Sequence, residues 1–323
     1  MRLQDIYKNL RNDLRLIERE LEASVHTDHH QLNRSAVHLL EAGGKRMRPV
    51  FVLLSGKFGR YDIRRLKSVA VPLELIHMAT LVHDDVIDDA ATRRGRQTVK
   101  AKWDNRVAMY TGDYILGRSL TIASTIGDPE VHRVLSRAIT EMCRGEIEQI
   151  RHFYNYEQSL LTYLQRIKRK TALLMAVSCH LGALVAGADP DHVRRLRLYG
   201  YYVGMAFQIT DDVLDIVGKE KELGKPAGSD LRQGNVTVPI IYVLMHGSQQ
   251  DRERIIRYLK SAGADPSLDD ILDRLRGSEG IAWSYRLADR YLDKALWMLE
   301  GLPDGETRES LRLIAEFIGR RSY

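Results

Sequence analysis

The sequence predicts an all-α protein, and three observations support this fold class. The chain has 323 residues, 44% of them hydrophobic, which is enough apolar material for a large buried core. Apolar residues recur at three- and four-residue steps along most of the chain, whereas the alternation typical of strands is scarce. Only 8 residues are Pro, so long helices meet few interruptions. The length suits either one large helical domain or two smaller ones.

The first helices can be placed from apolar spacing and from turn residues. The pattern over residues 2–25 is typical of one amphipathic helix, which either docks a partner or covers the core. A second helix is predicted from about His29 to Glu41, with Gly43 and Gly44 as a C-terminal cap signal. Pro72 is expected to mark a boundary or a kink. Later helices are predicted at about 108–126, 129–156, 159–187 and 190–217.

Two similar acidic motifs, each containing Asp-Asp-Val-Ile/Leu-Asp, follow apolar runs. The first begins at Asp84 and the second at Asp211. If both segments are helical, the first and last acids of each motif lie one turn apart on one face. A buried carboxylate neutralises unless a positive charge compensates it, and hard oxygen ligands without nearby His or Cys favour Mg²⁺. The predicted ligands are Asp84, Asp85, Asp88, Asp211, Asp212 and Asp215. The alternative, that each motif is a solvated helix end, holds better for one motif alone than for a matched pair.

A basic motif, Gly-Gly-Lys-Arg-Met-Arg-Pro, precedes the first acids and runs from Gly43 to Pro49. Pro49 suits the first turn of a helix, so the basic residues stand at a helix N-terminus, where the macrodipole favours anions. Three cations at such a position are unfavourable for the helix alone and indicate a phosphate opposite Lys45, Arg46 and Arg48. A solvated basic turn is the alternative.

Other polar residues occupy positions that are expected to face the same substrate. His77 precedes Asp84 by two helical turns and shares its face, as either a core histidine or a polar ligand. Arg93 and Arg94 lie in a tight basic loop that is expected to fold back over a phosphate. Lys170 stands at the edge of an apolar segment, where it either contacts substrate or extends to solvent.

Composition limits the classes of partner and the location. The net charge of +6 is modest, and no basic stripe with interleaved aromatic residues occurs, so no nucleic-acid partner is expected. No apolar run reaches the roughly 18 residues of a membrane span, and the charged N-terminus does not resemble a signal peptide. Cys143 and Cys179 lack metal or redox spacing and are expected to be buried free thiols. A cytoplasmic protein is therefore expected.

These features together predict a diphosphate leaving group. Basic residues come from several segments, including a Gly/Lys-rich loop at 218–234 whose Lys225 is expected to close over the substrate as part of a lid. Small residues such as Ala79 and Ala206 precede the acids, so an apolar tunnel is expected behind the phosphate site. An isoprenoid diphosphate fits both parts, because Mg²⁺ and basic side chains stabilise the departing diphosphate while an allylic cation remains. No Ser-His-Asp or Cys-His nucleophile arrangement is evident.

From the Gly-Gly-Lys-Arg motif to the C-terminus, the chain resembles the trans-isoprenyl diphosphate synthases. The resemblance implies an isoprenoid synthase fold, with residues 1–323 forming a single large helical bundle around a central cavity. It implies successive trans additions of isopentenyl diphosphate to an allylic diphosphate, farnesyl diphosphate being the expected primer. It also implies three Mg²⁺ ions when the allylic diphosphate is bound.

The family pattern also assigns roles to individual residues. It implies that three acids bind Mg²⁺ directly, namely Asp84, Asp88 and Asp211. It implies that three others support them or act through water, namely Asp85, Asp212 and Asp215. Residues implied to hold the allylic diphosphate are Arg93, Lys170 and Lys225. Residues implied to bind isopentenyl diphosphate are Lys45, Arg48, His77 and Arg94. Residues implied to act beside the reacting carbons are Thr171 and Gln208, with Lys170 as a third catalytic group.

The same resemblance extends to product length. Bulky residues just before the first acids block the tunnel in this family, whereas Ala79 and Thr80 are small here, so a long product is expected. Seven isoprene units, serving a menaquinone side chain, are implied by the resemblance alone. One departure is visible, because Asn235 stands near the place where short-chain members often carry a Lys. Binding of the allylic diphosphate is then expected to depend more on Lys225.

The resemblance is strongest to the large catalytic subunits of two-component synthases. It implies a heterodimer with a small non-catalytic subunit, a homodimer being the alternative, and transient membrane contact when product leaves. Other interpretations stay open at this point: a hexaprenyl or other chain-length synthase, a terpene cyclase, and a non-catalytic regulatory subunit. The complete acid motifs argue against a regulatory subunit, and the second diphosphate pocket argues against a cyclase.

Overall fold

The computed structural model describes residues 2–218 and 226–320, and the all-α prediction is confirmed. The helices up to the first acids are α1 Leu3–Asn9, α2 Arg11–Val25, α3 His30–Glu41, α4 Met47–Gly56 and α5 Ile63–Ile87. The next are α6 Val99–Lys102, α7 Asn105–Ala123, α8 Pro129–Arg151, α9 Leu160–Ile167, α10 Leu173–Val185 and α11 Pro190–Val217. The last are α12 Ser229–Arg232, α13 Val238–His246, α14 Gln249–Lys260, α15 Leu268–Arg276, α16 Glu279–Glu300 and α17 Glu306–Gly319.

The predicted N-terminal helix is two helices. Leu10, with φ −95° and ψ 3°, separates α1 from α2. The predicted apolar face survives this break, because Ile6, Leu10, Ile17 and Leu21 are all buried. Of the two roles expected for this segment, covering a core is therefore observed.

Helix α5 carries the first acid motif, and it is continuous through Pro72. Asp62 caps it by accepting a hydrogen bond from the Arg64 amide at 2.9 Å. A proline inside a helix costs about 3 kcal/mol because it removes one backbone hydrogen bond. Here almost every residue from Val69 to Ala79 is buried, and packing on that scale outweighs the lost bond. The predicted boundary at Pro72 is therefore wrong.

The predicted helix over 159–187 is interrupted by a π-helical turn at Lys168–Ala172. The predicted basic loop after the acids is a short antiparallel hairpin of β1 Thr92–Arg93 and β2 Arg96–Gln97. Its turn residues have positive φ, 53° at Arg94 and 74° at Gly95, as tight hairpins require. Cys143 and Cys179 are both free, but Cys143 is exposed, so the prediction that both are buried is wrong for that residue.

The chain divides into two compact units. The first contains residues up to Ile139, together with Leu174–Gly200 and Leu299–Leu313. The second contains Thr140–Leu173, Tyr201–Met298 and the residues from Ile314 onward. In the first unit α5 packs against α2, α4 and α7. Within the described ranges, no helix is both long and apolar enough to cross a membrane.

Close helix packing in the first unit depends on Gly182 of α10. A Cβ at this position would lie 2.3 Å from the backbone oxygen of Val52 in α4, so an added methyl group would push the two helices apart. Overpacking a core costs about 1–3 kcal/mol, and the better helix propensity of alanine offsets up to ~1 kcal/mol of that cost. We therefore predict that Gly182→Ala lowers the free energy of unfolding. Urea unfolding followed by circular dichroism measures the change.

Gly117 of α7 provides the matched control, because nothing lies within 4 Å of its hypothetical Cβ. Gly117→Ala should raise the free energy of unfolding by up to about 1 kcal/mol, since alanine is the better helix former. Equal stability of the two variants would contradict the packing argument.

Candidate active site

The basic motif forms a loop from Gly43 that enters α4 at Met47. The backbone of Gly44 lies against the Arg94 guanidinium, and a Cβ there would be 2.5 Å from Arg94 Nη1. Glycine at this position therefore lets the hairpin arginine approach the loop. Lys45 of the same loop is exposed. The structure thus brings the loop and Arg94 together, and their sharing of one phosphate stays a prediction.

The sequence predicted that all three cations of the basic motif face a phosphate. Arg46 instead pairs with carboxylates of the protein. Its guanidinium donates to Glu18 through Nε at 2.9 Å and through Nη2 at 2.7 Å. Its Nη1 donates to Glu74 Oε1 at 3.1 Å. Two carboxylates therefore neutralise Arg46, and the loop's remaining cations are Lys45 and Arg48.

Arg48 is the most deeply buried cation of the loop, with 9% of its surface exposed. Among the described residues, its Nε has no hydrogen-bond partner, and the same holds for Oε2 of the buried Glu74. Burial lowers the pKa of Arg48, Glu74 opposes that change and the nearby Arg94 adds to it, and the pKa that results is about 10. The group stays charged at neutral pH, so it presents a buried, incompletely satisfied cation to a ligand.

His77 of α5 lies in the field of these arginines. Burial first, and then the positive charges of Arg48, Arg94, Arg93 and Arg46, lower the pKa of His77 well below its ordinary value. The ring is therefore neutral at physiological pH and offers one N–H donor. A polar role for His77 stays a prediction, and the structure adds that its ring lies in a strongly positive environment.

The first acid motif lies at the C-terminal end of α5. Helix α5 ends at Ile87, and Asp88 is its C-cap residue. Asp85 is buried, with 2% exposure, and Arg93 Nε donates to its Oδ1 at 2.7 Å. Burial raises the pKa of Asp85, and Arg93 opposes that rise. Asp84 and Asp88 are half-buried. The structure thus separates one buried, arginine-paired acid from two more accessible ones.

The second acid motif shows a similar division. Asp211 is exposed, whereas Asp212 and Asp215 are buried with 4% and 2% exposure. Asp212 accepts hydrogen bonds from Tyr163 Oη and from Gln208 Nε2, both at 2.7 Å. Burial raises its pKa to about 7, aided by Asp230. Asp215 accepts from Ser229 Oγ at 3.0 Å and from the Asp230 amide at 3.1 Å.

The predicted residues beside the reacting carbons join this network. Thr171 Oγ1 donates to Gln208 Oε1 at 2.5 Å, and the amide group of Gln208 then donates to Asp212. This chain of bonds fixes which way the Gln208 amide points, because its NH₂ must face the carboxylate. Thr171 and its neighbour Lys170 lie in the π-helical turn, a feature common at functional sites. Lys170 Nζ donates to Gln149 Oε1 at 3.1 Å.

The acids present suit a divalent cation. Across residues 2–218 and 226–320, no group of three or more His, Cys, Asp or Glu side chains is arranged as a ready-made metal cage. Mg²⁺ does not require one, since it usually binds one or two carboxylates together with substrate phosphates and water. The accessible acids Asp84, Asp88 and Asp211 have the hard oxygen donors that such binding needs. The buried acids Asp85, Asp212 and Asp215 accept hydrogen bonds from protein donors.

Of the predicted site residues, the first unit holds Lys45, Arg48, His77, Asp84, Asp85, Asp88, Arg93 and Arg94. The second unit holds Lys170, Thr171, Gln208, Asp211, Asp212 and Asp215. Lys225, the predicted lid lysine, lies outside the described residues. Sequence reasoning missed Glu74 and Tyr163. Glu74 could have been singled out from the sequence, because it is a lone acid within an otherwise apolar run. Nothing in the spacing distinguished Tyr163.

The chain is similar in sequence and in fold to known prenyl synthases. The sequence model of the polyprenyl synthetase family matches residues 29–274. The chain is 54% identical to heptaprenyl diphosphate synthase component 2 of Geobacillus stearothermophilus, over 100% of both chains. It is 38% identical to the solved heptaprenyl diphosphate synthase of Staphylococcus aureus, with a TM-score of 0.91 over 97% of this chain and 98% of that one. A polyprenyl synthase from Caulobacter crescentus CB15, solved with calcium and isoprenyl diphosphate, gives a TM-score of 0.94 at 30% identity over 99% and 98%.

Proposed function

Because the chain belongs to the polyprenyl synthetase family and is a polyprenyl diphosphate synthase of isoprenoid synthase fold, we propose that it makes heptaprenyl diphosphate. It adds isopentenyl diphosphate in successive trans condensations to an allylic primer, farnesyl diphosphate. The relatives named heptaprenyl diphosphate synthase support this product length. A menaquinone side chain is the proposed destination of the product, and the cytoplasm is the proposed location.

The arginine cluster around Arg48 is the observation that carries the proposal. A second substrate with its own diphosphate needs a separate anion site, and a buried cation with an unsatisfied N–H is suited to bind one. Lys45, His77 and Arg94 are proposed to complete this site for isopentenyl diphosphate. Neutral His77 donates a hydrogen bond there without adding to the repulsion among the arginines. A terpene cyclase has no second diphosphate to bind, so the cluster favours condensation.

In the proposed reaction the C–O bond of the allylic diphosphate breaks, and the double bond of isopentenyl diphosphate attacks the allylic cation. A new C–C bond forms, and the cation that results loses a proton to the departed diphosphate to give the product. Bound Mg²⁺, proposed as three ions, supplies positive charge to the leaving diphosphate. Asp84, Asp88 and Asp211 are the proposed direct ligands, supported by Asp85, Asp212 and Asp215. The Caulobacter crescentus synthase solved with calcium supports use of a divalent cation.

The remaining site residues are proposed to act on the allylic substrate. Arg93, Lys170 and Lys225 hold its diphosphate. Thr171 and Gln208 lie beside the carbon that becomes cationic, where their oxygen dipoles stabilise positive charge. The hydrogen bond from Gln208 to Asp212 supports this role, because it keeps the amide oxygen on the side of Thr171.

A small partner subunit is part of the proposal, because the relatives named component 2 are by name one part of a two-component enzyme. The test incubates the purified chain with Mg²⁺, radiolabelled isopentenyl diphosphate and farnesyl diphosphate, with and without a candidate component 1. We predict products of seven isoprene units only when both components are present. Chromatography against standards sizes the products. Asp84→Asn in the assembled pair is the control and should abolish condensation.

Two other outcomes would change the proposal. Long products from the chain alone would make it a self-sufficient homodimeric synthase and discard the partner. Absence of condensation, with binding of component 1 confirmed, would indicate a regulatory subunit despite the complete acid motifs.

Product length should depend on the small residues one turn before the first acids. Ala79 of α5 is buried with 2% exposure, and Thr80 beside it is half-buried. We predict that Ala79→Tyr shortens the product, because its ring blocks the path of the growing chain. Thr80→Phe tests the same point at a roomier position, in case Ala79→Tyr overpacks the helix. Ala79→Ser is the size-matched control and should keep the product length. Unchanged chromatograms for both bulky variants would refute the tunnel assignment.

A further inference from the structure

The two N-terminal helices hold the loop that carries Lys45 and Arg48. From α1, Tyr7 Oη donates to the backbone oxygen of Lys45 at 2.7 Å and lies 3.1 Å from Met47 Sδ. From α2, Glu18 accepts two hydrogen bonds from Arg46. The segment whose amphipathic pattern suggested only a cover or a docking helix is thus attached to the basic motif at consecutive residues.

The contact between Glu18 and Arg46 has the geometry of a strong ion pair. Both guanidinium donors on one edge of Arg46 reach the two oxygens of one carboxylate, which is the bidentate arrangement. The Arg46 side chain is 12% exposed, so the pair is better shielded from water than a surface salt bridge. Glu74 of α5 holds the remaining edge at 3.1 Å. Arg46 is therefore fixed between α2 and α5.

The backbone at Arg46 explains why such fixing matters. Arg46 has φ 47° and ψ 38°, in the left-handed region that L-residues other than glycine rarely adopt. Its carbonyl oxygen nevertheless accepts the Val50 amide at 3.1 Å and so begins α4. A strained residue persists only when its surroundings hold it, and the surrounding contacts here are Tyr7, Glu18 and Glu74. Loss of one of them should let the loop relax and displace its neighbours Lys45 and Arg48.

We propose that Glu18 and Tyr7 are positioning residues, which act through Arg46 and Lys45 to set the affinity for isopentenyl diphosphate. The inference rests on the proposed function for the identity of the ligand. Neither residue touches the diphosphate. Helices α1 and α2 thereby form part of the substrate-binding apparatus in addition to covering the core.

Two other contacts of α2 provide matched controls. Glu20 of α2 accepts from Lys67 of α5 at 2.6 Å, and its 41% side-chain exposure resembles the 38% of Glu18. Asp13 of α2 accepts from Tyr61 Oη at 2.5 Å, as the Lys45 oxygen accepts from Tyr7. Neither control contact includes a residue of the 43–48 loop. Glu20→Gln and Tyr61→Phe therefore remove similar attachments of α2 without releasing the loop.

The kinetic test compares Glu18→Gln with Glu20→Gln, and Tyr7→Phe with Tyr61→Phe, in the full chain with its partner where activity needs it. We expect Glu18→Gln to raise KM for isopentenyl diphosphate about tenfold, which corresponds to ~1.4 kcal/mol of lost binding. Tyr7→Phe should raise it less, because one neutral hydrogen bond is lost. In both variants kcat and KM for the allylic diphosphate should stay within about twofold of wild type. The controls should leave all three constants unchanged.

A binding measurement separates this inference from the proposed function. Calorimetric titration with inorganic diphosphate requires no condensation, so it reports on the loop even if the proposed reaction is wrong. Weaker binding by Glu18→Gln than by Glu20→Gln, at equal melting temperatures, would support the inference. Equal binding by the two variants would overturn it. Tighter binding by Glu18→Gln would also overturn it, because Arg46 would then be a diphosphate ligand that Glu18 normally restrains.

Discussion

The burial of Arg48 without a full set of hydrogen bonds is the constraint on which the rest of the first unit depends. A guanidinium with 9% exposure and an unpartnered Nε is unfavourable, and the neighbouring Arg94 adds repulsion at the same place. Glu74 compensates only part of this charge, because its single negative charge is shared with Arg46, whose Nη1 donates to it at 3.1 Å. The site is thus electrostatically incomplete without an anion. Binding of a diphosphate would relieve this penalty, so functional binding is gained at a cost in the stability of the free protein.

The acid motifs also contain buried charges that need compensation, but these charges are negative. Within each motif the buried carboxylates are held by protein donors, Arg93 for Asp85 and Tyr163 with Gln208 for Asp212. The more accessible carboxylates, those of Asp84, Asp88 and Asp211, are the proposed Mg²⁺ ligands. This division assigns the buried acids to fixing the helix ends and the network around Thr171. It gives a physical reason why a motif of several acids is needed where Mg²⁺ itself takes one or two of them.

Several features could be predicted from the sequence because they depend on local pattern. The all-α fold follows from apolar spacing, and the predicted boundaries of α11 agree with the observed Pro190–Val217. The grouping of Arg48, His77 and Arg94 in one pocket was implied by the family resemblance and not by charge or spacing. Other features depend on contacts that spacing does not encode. The π-helical turn inserts one residue into an otherwise regular pattern, and the pairing of Arg46 with Glu18 joins residues 28 positions apart. The role of Tyr163 likewise appears only when α9 is packed against α11 residues.

The most direct test of the role of Arg48 is to measure two effects of Arg48→Met, one on diphosphate binding and one on the stability of the protein. Methionine keeps much of the side-chain volume and removes the buried charge. We expect the variant to melt at or above the temperature of the wild-type protein when no ligand is present, and to lose the rise in melting temperature that diphosphate gives the wild type. Arg34→Met, at a residue not placed in the site, serves as the control. A variant that is less stable than wild type and still binds diphosphate would contradict the account, because Arg48 would then be a structural residue.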